Sequence, residues 1–368
     1  MKWPVSSGGD EGLAAWPAAR EGGRTAVPRP ANMGDVARLA GVSHQTVSRV
    51  INDSSSVSPA TRSRVLAAMR QLDYRPNPAA KSLVTGRSQT LGVVSFDTTL
   101  FGPASTLSGI EQAARAVRYA VSVATLKSID RASALDAIER LRDQSVAGIV
   151  VVAPTVATFD ALSAVPPHTP LVAVEGDPHL DFPVVAVDQA LGARMLTQHL
   201  LRQGHHTVWH VRGPETWLEA EGRVQGWREA LDAAGIAPPE PLLTGDWSPA
   251  SGYRAGLALA QRRDVTAVFV ANDQMAVGLL RAMHEQGRRV PEDVSVVGFD
   301  DIPEAAYLTP PLTTVHQPFD QVGRRSLQLL MEQIDAGERI QRRDIISPRL
   351  VLRRSTAAAA DPGRQPAR

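Results

Sequence analysis

Gly34-Asp35-Val36-Ala37-Arg38-Leu39-Ala40-Gly41-Val42-Ser43-His44-Gln45-Thr46-Val47-Ser48-Arg49-Val50-Ile51-Asn52 reads as helix, tight turn, helix. Val36, Ala37 and Ala40 stand at i, i+1 and i+4, which puts them on one helical face. Gly41 is the stop signal, because glycine alone enters left-handed geometry without steric cost. Ser43 is a good N-cap for a second helix, in which Val47, Val50 and Ile51 again share a face. His44, Gln45, Ser48 and Arg49 fall on the other face, and all of them can hydrogen-bond. Two short helices joined by such a turn form the usual reader of the DNA major groove.

A pair of amphipathic helices also serves as a plain packing unit, so the next segment matters. Ser58-Pro59 is a cap followed by proline at the first helical position, and Val65, Leu66, Met69 and Leu72 then recur at i, i+1, i+4 and i+7. This predicts a third helix closing a small core over the first two. Charge segregates as well. Between residues 34 and 88, Arg38, Arg49, Arg62, Arg64, Arg70, Arg75, Lys81 and Arg87 face only Asp35, Asp53 and Asp73. The whole chain is nearly neutral, with 39 Lys+Arg against 38 Asp+Glu, so the head is a basic patch on a balanced body. Such a patch is the electrostatic footprint of phosphate binding.

The 368 residues suit two or three domains, each able to bury a proper core. The absence of cysteine excludes disulfides, thiolate nucleophiles and cysteine zinc sites. No apolar run approaches the length of a membrane span, so no membrane partner is expected. The first thirty or so residues carry acidic groups and no apolar stretch, unlike a secretory signal, and read as a disordered tail or an over-long translation start. A cytoplasmic location is expected.

Downstream, apolar runs at 91–96, 121–124, 148–152, 171–174, 184–187, 208–211, 267–270 and 294–299 predict buried strands. Amphipathic stretches such as 108–118, 191–202, 223–233 and 274–285 separate most of them. This alternation predicts an α/β body of doubly wound parallel sheets, long enough for two subdomains with a cleft between them. In such sheets ligands sit beyond the carboxyl ends of strands. Glu175, Asn272 and Asp300 fall at such ends, although strand-end Asp and Asn also serve simply as helix caps. Between head and body, Asn77-Pro78-Ala79-Ala80-Lys81-Ser82-Leu83 has a cap, a first-turn proline and helix formers. Seven residues are too few to be helical alone in water, so the segment is a flexible linker unless a partner folds it.

Three blocks in the head carry a family likeness: Asp-Val-Ala-Arg-Leu-Ala-Gly-Val-Ser at 35–43, Thr-Val-Ser-Arg-Val-Ile-Asn at 46–52 and Tyr-Arg-Pro-Asn-Pro at 74–78. With them the chain resembles the lactose-repressor (LacI/GalR) family of transcription regulators, from about residue 32 to about 354. Later blocks, Gly-Asp-Trp-Ser at 245–248, Val-Ala-Asn-Asp-Gln-Met-Ala at 270–276, Ser-Val-Val-Gly-Phe-Asp-Asp at 295–301 and Pro-Pro-Leu-Thr-Thr at 310–314, are similar to the lactose-repressor subgroup. The resemblance implies a tail over 1–31, an all-α helix-turn-helix head over 32–76, a hinge helix over 77–88 and a periplasmic-binding-protein-like body over 89–355, followed by a second disordered tail over 356–368. It also implies that the chain passes between subdomains near Asp188 and Pro318.

Function follows as an expectation: a repressor whose homodimer binds a near-palindromic double-stranded operator and responds to a small sugar, with no cofactor. The DNA contacts implied are His44, Gln45, Ser48, Arg49 and Asn52, with Leu83 wedging into the minor groove once two hinges pair, a known way to kink a duplex. His44 stands where the subgroup has tyrosine, so a different operator sequence is expected. Carried over position by position, the ligand contacts are Phe96, Glu175, Arg223, Trp247, Asn272, Asp300 and Phe319. Arg223 stands four residues before Trp227 in what reads as a helix start. Glu175 replaces an aspartate and Phe96 a small hydroxyl residue, which leaves the identity of the sugar open, a galactoside being the first expectation. Release of DNA by the ligand is favoured by the likeness. The chain after Arg354 has no apolar heptad tail, which favours a dimer.

Other features point elsewhere only weakly. His205, His206 and His210 are close in sequence, but adjacent histidines on an extended chain face opposite ways and no carboxylate-bearing ligand motif accompanies them. No metal site is expected. No phosphate-cradling glycine loop and no Gly-x-Ser-x-Gly elbow is present, so catalysis has no support.

Overall fold

The computed structural model describes residues 29, 31–52, 55–75, 88–126, 128–152, 155–176 and 182–359. The expected first tail, apart from residues 29 and 31, and the hinge with Leu83, apart from residue 88, lie outside them. The chain divides into two compact units, residues 1–81 and 82–368.

In the first unit, α1 (Met33–Ala40), α2 (His44–Ile51) and α3 (Pro59–Gln71) form the expected head. Asn32 and Asp35 make a reciprocal capping box on α1, and Gly41 ends that helix at φ +63°. Ser43 caps α2 by accepting from the Thr46 amide at 3.2 Å, and Ser58 caps α3 ahead of Pro59. Val36, Ala37, Ala40, Val47, Val50, Val65 and Ala68 form the buried core. Leu66 is a correction: it is 43% exposed, because the inward face of α3 runs through Val65, Ala68, Met69 and Leu72.

The second unit is built from two parallel sheets. The first contains β1 (Thr90–Ser95), β2 (Ala120–Thr125), β3 (Ile149–Val152), β4 (Leu171–Val174), β5 (Val184–Val187) and a late strand, β11 (Arg343–Ile346). Their order is β11-β5-β4-β3-β1-β2, all parallel. One face packs on α4 (Phe101–Ala116) and α11 (Phe319–Ala336), the other on α5 (Arg131–Asp143) and α6 (Val156–Leu162). Val150 and Val152 enter the first of these cores, Ile149 and Val151 the second. A strand with both faces covered is apolar at every position, which is why these runs stood out.

The second sheet has the order β7-β6-β8-β9, from β6 (Trp209–Arg212), β7 (Leu243–Thr244), β8 (Ala267–Val270) and β9 (Ser295–Val297). It lies between α7 (Gln189–Arg202) with α8 (Leu218–Ala233) and α9 (Pro249–Ala260) with α10 (Asp273–Glu285). An antiparallel pair, β10 (Thr314–His316) and β12 (Arg349–Val351), adjoins β9 through the Val297–Thr313 bridge. The chain passes between subdomains at Asp188 and Pro318, as expected, and a third time between β11 and β12.

Two helices begin earlier than their apolar periodicity. The first is α4, which starts at Phe101 and accommodates Pro103 in its first turn, where a missing N–H costs nothing. The second is α8, which starts at Leu218, so Arg223 lies in its second turn rather than at its start. Residues 356–359, expected within the second tail, are bonded to α7 and its neighbours: Thr356 Oγ1 lies 3.0 Å from His199 Nε2, and the Ala359 amide donates to Gln203 O at 2.9 Å. No helix among the described residues is long and apolar enough to cross a membrane.

Candidate functional site

Two surfaces carry the sequence-selected residues, one in each unit. On the head, burial of Val47 and Val50 turns the opposite face of α2 outward. His44, Gln45 and Arg49 are exposed there, Ser48 is half-buried, and exposed Asn52 donates weakly to Ser48 Oγ at 3.5 Å. The capped amino end of α2 thus presents polar side chains on a rigid base.

In the body, the carboxyl ends of the strands face a cleft of about 320 Å³ of empty space. Arg223, Trp247, Asn272 and Asp300 line it, together with Trp217, Glu219 and Gln317, while α4 contributes Phe101 and Pro103. Glu175, Phe96 and Phe319 stand behind this lining. Phe96 packs edge-on against Trp217 at 6.1 Å, and Trp217 against Trp247 at 5.7 Å. Phe319 meets Phe101 edge-on at 5.8 Å and lines a neighbouring hollow.

Arg223 is 2% exposed and organises the polar groups. Its guanidinium lies over Phe299 at 4.1 Å and near Trp247 at 5.4 Å. Nε donates to Gln189 Oε1 at 3.0 Å, and Nη1 to the Ala271 carbonyl at 2.5 Å. Nη2 stands 3.6 Å from Asp300 Oδ1 and 3.8 Å from Glu219 Oε2, both beyond a good hydrogen bond. A ligand hydroxyl between such groups both accepts from the guanidinium and donates to a carboxylate.

The carboxylates are held in unusual states. Burial raises Glu175 to about 8, reinforced by the charge of Glu219. Burial likewise raises Glu219 to about 7 and Asp300 to about 6, each opposed by Arg223. Glu175 Oε1 accepts from the Val187 amide at 2.9 Å and from Gln189 at 3.2 Å. Asn272 does what the simpler reading expected: its side chain caps α10 by accepting from the Met275 amide at 2.9 Å, and it also donates to the Trp247 carbonyl. The backbone is strained in the same place. Glu175 (φ 60°), Trp247 (70°), Asp300 (112°) and Asp301 (58°) are four of the eight described non-glycine residues with positive φ. Such strain persists only where the surroundings over-determine it, and it concentrates at functional sites.

Two of the three clustered histidines have structural places, and His206 is exposed. His205 bonds Thr266, Ser295 and the Ala357 carbonyl, while His210 stacks on Phe269 at 4.3 Å and bonds its carbonyl. Sequence reasoning missed Gln189, Trp217, Glu219 and Gln317. A signal existed for Glu219, which stands one helical turn before Arg223 on the same face.

Residues 32–77 match the family of bacterial regulatory proteins of the lacI type, and residues 197–356 match the periplasmic binding protein-like domain. The chain is similar to the lactose operon repressor of Escherichia coli K12, 34% identical over 333 residues, covering 90% of this chain and 92% of that protein. Among solved structures it resembles the Lac repressor dimer bound to operator and the anti-inducer ONPF, with a TM-score of 0.82 and 32% identity over 90% of this chain and all of that one. It also resembles the complex of the transcriptional regulator CelR with cellobiose, with a TM-score of 0.66 and 33% identity over 88% of this chain and 99% of that one.

Proposed function

Because the chain belongs to the lacI family of bacterial regulatory proteins, we propose that it is a transcriptional repressor whose affinity for operator DNA is set by a small sugar in the cleft. The lining of the cleft carries the sugar reading. An arginine donor between two carboxylates suits paired hydroxyls, and two tryptophans offer apolar faces to the C–H side of a sugar ring. The relatives bound to ONPF and to cellobiose support the same class of ligand. A galactoside is the first choice. Phe96, which packs on Trp217, and Glu175 favour a second reading, in which the same clamp takes another sugar or a co-repressor.

On the DNA side, two subunits place one α2 each in successive major-groove half-sites, with His44, Gln45, Ser48, Arg49 and Asn52 facing the duplex. Leu83 of each hinge then enters the minor groove between them. The head–hinge–body division expected from the sequence is part of this proposal, as are the homodimer, the cytoplasmic location and the absence of catalytic activity. Incubation with candidate glycosides checks the last of these: turnover overturns it.

Fluorescence anisotropy of a labelled palindromic operator from beside its own gene, titrated with protein and then with sugars, tests the reading. Release by β-galactosides alone supports a galactoside inducer. Binding that galactosides leave unchanged keeps the regulator and moves the ligand to another class. No saturable, sequence-selective binding overturns the repressor reading.

A further inference from the structure

We propose that Gln189 is a positioning residue that sets, through one directed chain of hydrogen bonds closed into a ring by an ion pair, both the ligand-facing groups of the cleft and the relation of the two subdomains. The inference rests on reading the cleft as a ligand site. Gln189 opens α7 immediately after the first crossing, and Gln317 immediately precedes the second at Pro318. Both side chains are buried, Gln189 at 6% exposure and Gln317 at 3%.

The direction of every bond follows from one fixed donor. An arginine Nε–H can only donate, so Gln189 must present its oxygen to Arg223. Its amide nitrogen must then donate, and it does so twice: to Gln317 Oε1 at 2.8 Å and to Glu175 Oε1 at 3.2 Å. Gln317, having accepted, has only its nitrogen left to give, and Nε2 donates to Asp300 Oδ1 at 2.7 Å. The same Asp300 oxygen lies 3.6 Å from Arg223 Nη2, an ion pair rather than a hydrogen bond, which closes the ring where it began.

The ring joins what the fold holds apart. Glu175 follows β4 of the first sheet, Arg223 belongs to α8 on the second, and the two glutamines stand on the crossings between them. Asp300 and Arg223 also line the cleft. A hydroxyl bound by either residue therefore acts on a ring whose other corners are the crossing segments. Buried polar chains of this kind are stiff only when complete, because each missing partner strands the next.

The chain has no cysteine, which allows spin labels to be placed at chosen sites in the full-length protein. Asp136→Cys on α5 and Asp232→Cys on α8 provide one exposed label in each subdomain. Electron–electron distance measurements without sugar, on labelled protein mixed with an excess of unlabelled protein so that a dimer carries one labelled subunit, should give one narrow peak for the parent. Gln189→Met keeps the length of the side chain but removes its donor and acceptor, and should add a second distance population. Gln317→Met should add the same population, and the double variant no more than either single one.

A Gln189→Met protein that keeps the single peak overturns the proposal. So does a double variant whose shift is the sum of the two single shifts, since the residues then act separately. Near-ultraviolet circular dichroism checks folding. If Gln189→Met fails to fold, Gln317→Met decides alone: the second population supports the ring and a retained single peak overturns it. Failure of sugars to act on DNA would refute the ligand reading while leaving these distances unchanged.

Discussion

Replacing Arg49 by alanine separates two kinds of DNA contact. Arg49 is exposed on the polar face of α2, where a bidentate arginine–guanine pair is worth about 1–3 kcal/mol of discrimination. Arg49→Ala should therefore flatten the preference among operator variants in an anisotropy assay. A uniform loss across all sequences would make Arg49 a phosphate contact instead. Arg223→Lys tests the other surface. Lysine keeps the charge but not the planar fork that serves Gln189, the Ala271 carbonyl and the cleft together. The expected variant still binds operator and no longer responds to the sugar that releases the parent. A normal response in the same titration would remove Arg223 from the ligand site. Asn272 and Asp300 were legible as residues because an amide or carboxylate at a strand end is conspicuous, while Arg223 was legible only through the family likeness. Gln189 and Gln317 were not, since a glutamine in sequence shows neither its partners nor the direction of its bonds.

Elements were legible where apolar residues run on in sequence: the edge strand β2 was read as a buried strand although only Ala124 of its six residues is buried. Most strands of the two central sheets announce themselves as apolar runs, while β7 has two residues and β10 and β12 three each, too few to show a period. The sequence Arg-Asp-Ile-Ile of β11 reads as a charged loop, because an edge strand is covered on fewer sides. The third crossing was missed with it. Helix pairing depends on features of the same small size. A Cβ placed on Gly278 of α10 would come within 1.8 Å of the Pro249 carbonyl oxygen at the start of α9, so these helices touch backbone to backbone. Gly278→Ala must push them apart, and overpacking of this kind costs about 1–3 kcal/mol or more. Denaturant unfolding should show a lower midpoint with little change in slope; an unchanged midpoint would mean that α9 shifts freely.

For the molecule as a whole, buried acids and buried histidines pull stability in opposite directions with pH. Glu175, Glu219 and Asp300 are raised to about 8, 7 and 6, so their contribution is complete below the ordinary carboxyl range and is lost as pH rises through those values. His210 is lowered by burial to about 3, and His199 and His205 are lowered by burial too. Their contribution is complete above the ordinary histidine value of 6.5 and is lost as pH falls below it. The melting temperature should therefore peak between these limbs, above the ordinary carboxyl range and below the histidine value of 6.5. Glu175→Gln should flatten the alkaline limb, and melting curves from pH 5 to 9 that keep the parent's slope would show that Glu175 is ionised throughout. The three crossings bear on how the chain is made at the ribosome. Strands β1 to β5 emerge first, yet the face that α11 covers and the edge that β11 seals wait for residues 319–346. The subdomain begun first thus stays unfinished until its neighbour lacks little more than β12, and a nascent chain must carry that open apolar face through synthesis of nearly all of that neighbour.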